Sequence, residues 1–208
     1  MKSRWVDIWT LIWNGGKMNL TSEQVHWIGG FAFTIVALLL ILYETRLVRA
    51  GWLPYLLPIL LIGYGVESFI DPLVHGAAEP QNYGAESLQH IIQGTLMLIV
   101  GGVEWLRAGG RLKHYGWGLL LPLGLVGVGS VFMFHAQHEA NVPPLLLLVQ
   151  HRIFAITLWI AAATKAVAEW PNKNSRAFSI AWLLPLLLFG LELLVYTEGG
   201  TPLIHMAH

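Results

Sequence analysis

The chain contains no cysteine, and this absence narrows the chemistry that it can perform. Without thiols it has no disulfide, iron–sulfur cluster, zinc–thiolate site or thiol nucleophile. Charge is also scarce, because charged residues make up only 12% of the 208 residues, about half the fraction usual in a soluble domain. The formal net charge is zero, which gives no indication of nucleic-acid binding. These shortages favour a membrane protein.

Apolar residues, by contrast, are abundant and make up 55% of the chain. They gather in six stretches, each about as long as the roughly 20 residues that a bilayer-spanning helix needs. The predicted spans cover residues 25–44, 52–74, 87–106, 116–136, 145–168 and 177–197. Met1–Asn14 is too short to span and is followed by Gly15-Gly16, so an amphipathic helix in the membrane interface is predicted there. We therefore expect an all-α helix bundle, with an interfacial segment at 1–20 and a transmembrane domain at 21–208.

Lys and Arg residues predict how the bundle is oriented in the membrane. They are concentrated in the first, third and fifth loops, whereas the second and fourth loops and the C-terminal tail contain none. Because cytoplasmic loops carry the excess of basic residues, the odd-numbered loops are predicted to be cytoplasmic. Lys2, Arg4 and Lys17 in the N-terminal segment depart from this rule. The prediction is a multi-pass protein of a bacterial inner membrane whose other face meets the periplasm.

The nine histidines are distributed unevenly between the two predicted faces. His114 is assigned to the inner side, and the others fall at the outer ends of the spans or in the outer tail. These outer histidines are His26, His75, His90, His135, His138, His151, His205 and His208. In a chain without cysteine, imidazole and carboxylate are the strong metal ligands. The distribution therefore predicts metal binding at the outer face.

An internal repeat accompanies this arrangement. The motif Leu-Leu-Pro recurs at Leu56–Pro58, Leu120–Pro122 and Leu183–Pro185. The first, third and fifth spans open with Val25-His26, Gln89-His90 and Gln150-His151, and the histidines are 64 and 61 residues apart. Such a period suggests three helical hairpins side by side, produced by triplication or by similar packing demands on each pair. The even spans also carry glycines that permit close helix contact, namely Gly63, Gly65, Gly127, Gly129 and Gly190.

The strongest group of polar residues runs from Glu67 to His90. Glu67 and Asp71 are four residues apart and share one face of a helix, and His75 extends that stripe. After a short loop, Glu86 and His90 repeat the same spacing on the next span. Burying an acid in a membrane span is costly, so such acids are functional by default. Asp and His one turn apart, followed by a His that opens the next helix, suit a copper, iron or zinc centre.

A second group contains three histidines. His135 and His138 are three residues apart and can bind one ion from a single helical turn, and His151 follows after another short loop. Three imidazoles without a thiolate suit zinc with an open position, or copper. The ligand set predicted from both groups is Glu67, Asp71, His75, His90, His135, His138 and His151. The alternative is a polar hydrogen-bond network that holds the bundle together.

Short segments along much of the chain carry a likeness to a known family. They are Val25–Gly30, Glu67–His75, His90, Phe134–His138, His151, Val195-Tyr196 and Gly199-Gly200. In these segments the chain resembles the eukaryotic transmembrane protein 45 family, which has no settled activity, so the resemblance implies a site rather than a reaction. That family has a closer pair of histidines in place of His135 and His138, and usually one more helix. Locally, Asp71, His75 and His90 resemble the membrane copper site of particulate methane monooxygenases.

Copper is the first cofactor that these patterns predict, with iron and zinc as alternatives. The first hypothesis is a membrane oxidoreductase in which the metal activates oxygen or water against a lipid-phase or small-molecule substrate, while Glu67 and Asp71 assist proton transfer. The second hypothesis is binding or transport of copper or zinc. Transport needs polar groups through the full membrane depth, and Glu192 is the deepest such group. Further alternatives are a zinc-dependent hydrolase of lipid amides, using Ser68 and Asp71, and a b-type haem protein with one outer haem.

Overall fold

The computed structural model describes residues 13–14, 17–18, 21–74, 83–134, 144–170 and 176–198. Within them the transmembrane helices are α1 (Ser22–Glu44), α2 (Leu56–Val74), α3 (Tyr83–Ala108), α4 (Tyr115–Gly118 continued by Leu120–Met133), α5 (Pro144–Glu169) and α6 (Arg176–Ala181 continued by Leu183–Leu194). Six helical segments are long and apolar enough to cross a membrane. The all-α fold and the six predicted spans are confirmed, with ends that agree to within a few residues.

The N-terminal segment differs from the prediction where the structure describes it. Strands β1 (Trp13–Asn14) and β2 (Lys17–Met18) pair in antiparallel fashion, with Trp13 opposite Met18. The end of the helix expected over Met1–Asn14 is therefore extended, because its last residues form a ladder with the residues beyond Gly15-Gly16. Residues 1–12, on which the prediction of an interfacial helix rests, lie outside the described residues.

The repeated Leu-Leu-Pro motif explains the irregular first turns of the even helices. Proline has no amide hydrogen, so it cannot bond the carbonyl four residues earlier. Pro122 and Pro185 therefore leave a gap in the ladder, and the helices are interrupted close by, at Leu119 in α4 and at Trp182 in α6. In α2 the turn before the motif, Leu53–Tyr55, is a 3-10 helix. The three even helices thus share one local distortion at the same end of the bundle.

The helices pack as a ring in chain order, which α6 closes against α1. The two helices of each predicted hairpin, α1 with α2, α3 with α4 and α5 with α6, are neighbours. The closest packing, however, joins α2 to α3, α4 to α5 and α6 to α1. The most tightly packed pairs are therefore those connected through residues 75–82 and 135–143, together with the closing contact, rather than the predicted hairpins.

Small residues make each of these close pairs possible. A Cβ atom on Gly65 would lie 3.0 Å from the Gly94 carbonyl oxygen, and one on Gly94 would lie 2.9 Å from that of Gly65. Between α1 and α6, a Cβ atom on Gly30 would lie 2.9 Å from the Gly190 carbonyl oxygen. Between α4 and α5, one on Gly129 would lie 3.1 Å from a backbone oxygen of α5. The backbones in each pair are therefore almost in contact.

The glycines of α2, α4 and α6 are predicted to permit close helix contact, and this is confirmed for all but one of them. In α4 a Cβ atom on Gly127 would meet the Leu96 side chain at 2.8 Å. Gly63 is the exception, because no atom lies within 4 Å of the position that its Cβ would take. Gly63 lies on the exposed side of α2, so the prediction that it packs against a neighbouring helix is wrong.

The outside of the bundle is apolar, as the membrane prediction requires. On α1 the side chains of Ile28, Phe31, Ile35 and Leu38 are between 46% and 57% exposed and follow one another at helical spacing. Other helices carry similar exposed side chains, such as Leu123, which is 64% exposed. A soluble monomer rarely exposes apolar surface on this scale. The fold is therefore compatible with a multi-pass membrane protein.

The two ends of the bundle carry different polar residues. We call the end at which α1, α3 and α5 begin the histidine end, because His26, His90 and His151 lie within the first two turns of these helices. The opposite end, where α1 ends and α6 begins, is called the arginine end, after Arg46, Arg49 and Arg176. The described histidines are thus divided as the sequence predicts, since His114 caps the start of α4 at the arginine end.

An ion-pair network joins α3 to α5 at the arginine end. Arg107 donates hydrogen bonds to Glu104 (2.7 Å) and to Glu169 (2.7 Å). Lys165 pairs with the other oxygen of Glu169 at 2.6 Å. These side chains are at most 20% exposed. Because each charge is paired, Glu104 and Glu169 have a structural explanation and are not part of the candidate site.

Candidate functional site

His151 lies at the centre of the candidate site, in the first turns of α5. Its side chain is buried, with 4% of its surface exposed. Its Nδ1 atom is 2.8 Å from the Leu147 carbonyl oxygen, one turn earlier in the helix. A carbonyl oxygen can only accept, so Nδ1 carries the proton and the lone pair of the neutral ring is on Nε2. A hydrogen bond of this kind also orients the histidines that bind metals in proteins.

His26 lies opposite His151 and is held in the same way. α1 begins at a capping box formed by Thr21 and Gln24, and in the turn that follows His26 Nδ1 donates to the Ser22 carbonyl oxygen at 2.8 Å. The centroids of the His26 and His151 rings are 6.2 Å apart, with the ring planes at 87°. Two imidazoles from different helices, one buried and one partly buried, therefore meet edge to face, and Nδ1 of each donates to a carbonyl of its own helix.

Tyr196 completes this aromatic cluster from the segment that follows α6. Its ring stacks on His26 with the centroids 3.8 Å apart, and its centroid lies 5.8 Å from that of His151. The side chain is 1% exposed. Phe154 packs beside all three rings. The site is thus lined by aromatic rings on the side of the bundle core.

Hydrogen bonds from α1 and α5 fix the segment of residues 195–198. The Trp27 indole donates to the Tyr196 carbonyl oxygen at 3.0 Å. Gln150 bonds Thr197 twice, since its Nε2 donates to the Thr197 carbonyl oxygen (2.8 Å) and its Oε1 accepts from the Thr197 amide (3.0 Å). Because these partners satisfy the backbone after α6 ends, Tyr196 is held in one place over the two histidines.

Two carboxylates border the cluster. Oε1 of Glu23, in the first turn of α1, accepts from the Thr197 hydroxyl at 2.9 Å and from the Glu198 amide at 2.6 Å. The Tyr196 hydroxyl donates to Glu198 Oε1 at 3.0 Å. The cluster therefore has an acceptor for the phenol proton and a second carboxylate that ties α1 to the end of α6.

Sequence reasoning assigned His26 to the correct end but did not include it among the ligands, and it missed Tyr196, Glu23 and Glu198. The sequence signal was the Gln-His pair that recurs at 89–90 and 150–151, because the glutamine bonds the end of another helix in both places. Gln150 bonds Thr197 after α6, and Gln89 donates to the Phe134 carbonyl oxygen at the end of α4 at 3.1 Å. His26 occupies the corresponding position in the first span, so the repeat in the sequence already related it to His90 and His151.

Glu67 and His90 are partly buried and lie on α2 and α3. Gly65 and Phe69 of α2 contact Gly94 of α3, and His90, one turn before Gly94, lies on the same side of α3. Glu67 is two residues from Gly65 and from Phe69, which is about 200° around the helix. It therefore lies on the side of α2 that is turned away from this contact.

The remaining predicted ligands cannot be placed in the site. The backbone of Asp71 is part of α2, but its side chain, like His75, His135 and His138, lies outside the described residues. Among the side chains that are described, no three His, Asp or Glu come together at a spacing that would bind a metal. The full predicted ligand set therefore stays a prediction.

A polar pair lies deeper in the bundle, between α5 and α6. The Thr157 hydroxyl donates to Glu192 Oε1 at 2.7 Å. Thr157 is buried, and Glu192 Oε2 is enclosed without a hydrogen-bond partner. Glu192 lies one turn before Tyr196 in the chain, on the side of the aromatic cluster that faces the arginine end.

No family model, no curated protein and no solved structure matches the chain. The resemblance to the transmembrane protein 45 family and the local likeness to particulate methane monooxygenases therefore stay predictions.

Proposed function

We propose that the protein binds a transition metal at the histidine end of its bundle, between α1, α5 and the end of α6. One observation carries the proposal. The rings of His26 and His151 meet edge to face with their centroids 6.2 Å apart, and each ring is fixed by a hydrogen bond from Nδ1 to a carbonyl of its own helix. This arrangement gives both rings the tautomer in which Nε2 is the donor to a metal.

The spacing of the two rings is close to that required by a shared ion. A metal–imidazole bond is about 2.0–2.1 Å long, which puts each ring centroid about 3 Å from the ion and two such centroids about 5–6 Å apart. The observed 6.2 Å lies just above this range. Binding would therefore require the two ring centroids to come closer together, with both Nε2 atoms directed at the ion.

Copper is the ion that we propose first, with iron and zinc as alternatives. Imidazole suits all three metals, and no thiolate is present to bias the choice. Two imidazoles leave coordination positions open, and Glu67, Asp71, His75, His90, His135 and His138 stay the predicted sources of further ligands. The positions that protein side chains leave open are those at which oxygen, water or a substrate would bind.

The proposed reaction class is that of a membrane oxidoreductase acting on a lipid-phase or small-molecule substrate. The site is bordered by a phenol that already donates to a carboxylate, Tyr196 to Glu198, and Glu192 lies one turn below it. These groups offer a route for the protons that accompany electron transfer, a role that the sequence predicts for Glu67 and Asp71. The apolar outer surface of the bundle is compatible with a substrate that is dissolved in the lipid phase.

The proposed location is a bacterial inner membrane with the histidine end toward the periplasm. Arg46, Arg49, Arg111, Lys113 and Arg176 all lie at the opposite end of the bundle. Basic residues accumulate on the cytoplasmic side of membrane proteins. A reporter fused after residue 208 should therefore be active in the periplasm, and activity in the cytoplasm would contradict this orientation.

Elemental analysis of protein purified without added metal is the first test of metal binding. We expect stoichiometric copper, iron or zinc in the wild-type protein. His151→Ala and His26→Ala should lower the occupancy by at least tenfold, because each removes one of two fixed imidazoles. His114→Ala is the matched control, since His114 lies at the arginine end and caps α4.

The outcomes separate this proposal from its alternatives. A wild-type protein without stoichiometric metal would overturn the proposal. Loss of metal in His75→Ala, His135→Ala or His138→Ala, with full occupancy in His26→Ala and His151→Ala, would move the site to those residues. A Soret absorption band would instead identify a haem.

A further inference from the structure

A cavity opens at the arginine end, opposite the end that carries His26, His90 and His151. Its volume is about 850 Å³, and it lies between the turn that follows α1 and the start of α6. Its polar lining residues are Tyr43, Glu44, Arg46, Arg49, Arg176 and Ser179. A space of this size accommodates the headgroup of a phospholipid or a small phosphorylated molecule.

The charges in this cavity are unbalanced. Three guanidinium groups, those of Arg46, Arg49 and Arg176, face one carboxylate, that of Glu44. Within the described part of the chain, none of the three forms an ion pair. Arg107, at the same end of the bundle, shows the contrast, because it bonds two carboxylates at 2.7 Å. The three cavity arginines therefore have no structural partner of opposite charge among these residues.

The backbone holds two of these arginines in a defined turn. Arg46 has a φ of 64°, which is unusual for a residue other than glycine. The turn is closed by hydrogen bonds from the amides of Leu47 and Val48 to the Leu42 carbonyl oxygen. Because these bonds end α1 abruptly, Arg46 and Arg49 lie beside the helix end, where α6 brings Arg176.

We infer that this cavity binds a phosphate-bearing anion, and that its source is the headgroup of an anionic phospholipid. The guanidinium group binds phosphate oxygens through paired N–H donors, and the Tyr43 and Ser179 hydroxyls add neutral donors. Basic pockets between helix ends at the membrane surface are typical binding sites for anionic headgroups. The site lies at the opposite end of the bundle from the proposed metal centre and does not depend on it.

Native mass spectrometry of the full chain in detergent tests this inference. The probes are phosphatidylglycerol and, as the uncharged comparison, phosphatidylcholine. We expect preferential retention of phosphatidylglycerol by the wild-type protein, and each Arg→Gln change should weaken it about fivefold. The variant with Arg46→Gln, Arg49→Gln and Arg176→Gln should then bind about 100-fold more weakly. Arg111→Gln with Lys113→Gln is the control, since both residues lie at the same end outside the cavity.

Competition with inorganic phosphate distinguishes the two sources of the ligand. If millimolar phosphate displaces the lipid, the cavity recognises phosphate in general, and a soluble phosphate ester is its ligand. If it does not, the lipid headgroup is the ligand. Equal retention of phosphatidylglycerol by the triple variant, or equal loss in the control, would overturn the inference. Arg176→Gln alone, with its thermal unfolding midpoint measured, keeps the test valid should the triple variant fail to fold.

Discussion

The contact between α1 and α6 leads to the most specific prediction, which concerns Gly30→Ala. The added methyl group would lie 2.8 Å from the Leu194 amide nitrogen and 2.9 Å from the Gly190 carbonyl oxygen. Ordinary contacts are about 3.5–4.0 Å, so the two helices would have to separate by roughly 0.7–1.2 Å. Overpacking of this kind costs about 1–3 kcal/mol of the free energy of unfolding. The separation would also move His26, one turn before Gly30.

The neighbouring residue provides a matched control. A Cβ atom on Gly29 would meet only the Leu193 side chain, at 3.8 Å, which is an ordinary contact. Both changes replace Gly with Ala in the same helix, so both gain about 1 kcal/mol of helix propensity, and this gain cancels when the two variants are compared. Gly30→Ala should therefore be less stable than Gly29→Ala by about 1–3 kcal/mol.

Thermal unfolding followed by tryptophan fluorescence measures this difference, because the chain contains ten Trp. At about 2–4 °C per kcal/mol, Gly30→Ala should unfold at a clearly lower temperature than Gly29→Ala. Equal midpoints, or a higher midpoint for Gly30→Ala, would show that α1 and α6 do not pack as closely as described.

Two further predictions concern buried polar groups. Arg107→Gln leaves Glu104 and Glu169 without their shared partner and should destabilise the bundle by at most about 3–5 kcal/mol, with a smaller loss where solvent reaches the charges. Adding Glu169→Gln should restore part of the unfolding midpoint, and no recovery would contradict the network. Thr157→Val removes the hydroxyl that donates to Glu192 and should lower the free energy of unfolding by about 1–3 kcal/mol. Glu192→Gln retains an acceptor for that hydroxyl and should lower it less. The opposite order in the same unfolding assay would refute the assigned hydrogen bond.

The number and the limits of the spans could be predicted because they depend on local properties of the chain. A run of apolar residues fixes where a helix can cross the membrane, and glycines such as Gly65 and Gly129 indicate where two helices approach. The extended Trp13–Asn14 also had a local signal, because two glycines between short segments are typical of a hairpin turn. The prediction followed the apolar residues of that segment instead.

The closure of the ring could not be predicted in the same way. The indole of Trp27 bonds the carbonyl of Tyr196 across almost the whole chain, and Glu23 bonds the Glu198 amide over a similar separation. Hydrophobic periodicity says which residues face a neighbour but not which helix that neighbour is. The stacking of Tyr196 on His26 follows from this closure, so the aromatic half of the site had no signature within any single segment.

The sequence repeat relates the positions of the histidines to the close contacts between helices. His26, His90 and His151 each precede a small residue by four positions, and that residue lies at a close helix contact in every case. The spacing puts the histidine and the small residue on one face of the helix. The same geometry that packs the helices therefore directs each histidine toward the neighbouring helix at the histidine end.

X-ray absorption at the copper edge, on protein loaded with one equivalent of copper, tests the central claim most directly. Imidazole ligands give a characteristic scattering pattern, so the number bound per ion can be counted. We predict at least two imidazoles in the wild-type protein, one fewer in both His26→Ala and His151→Ala, and no change in His114→Ala. An unchanged imidazole count in both His26→Ala and His151→Ala would contradict a metal site between α1 and α5.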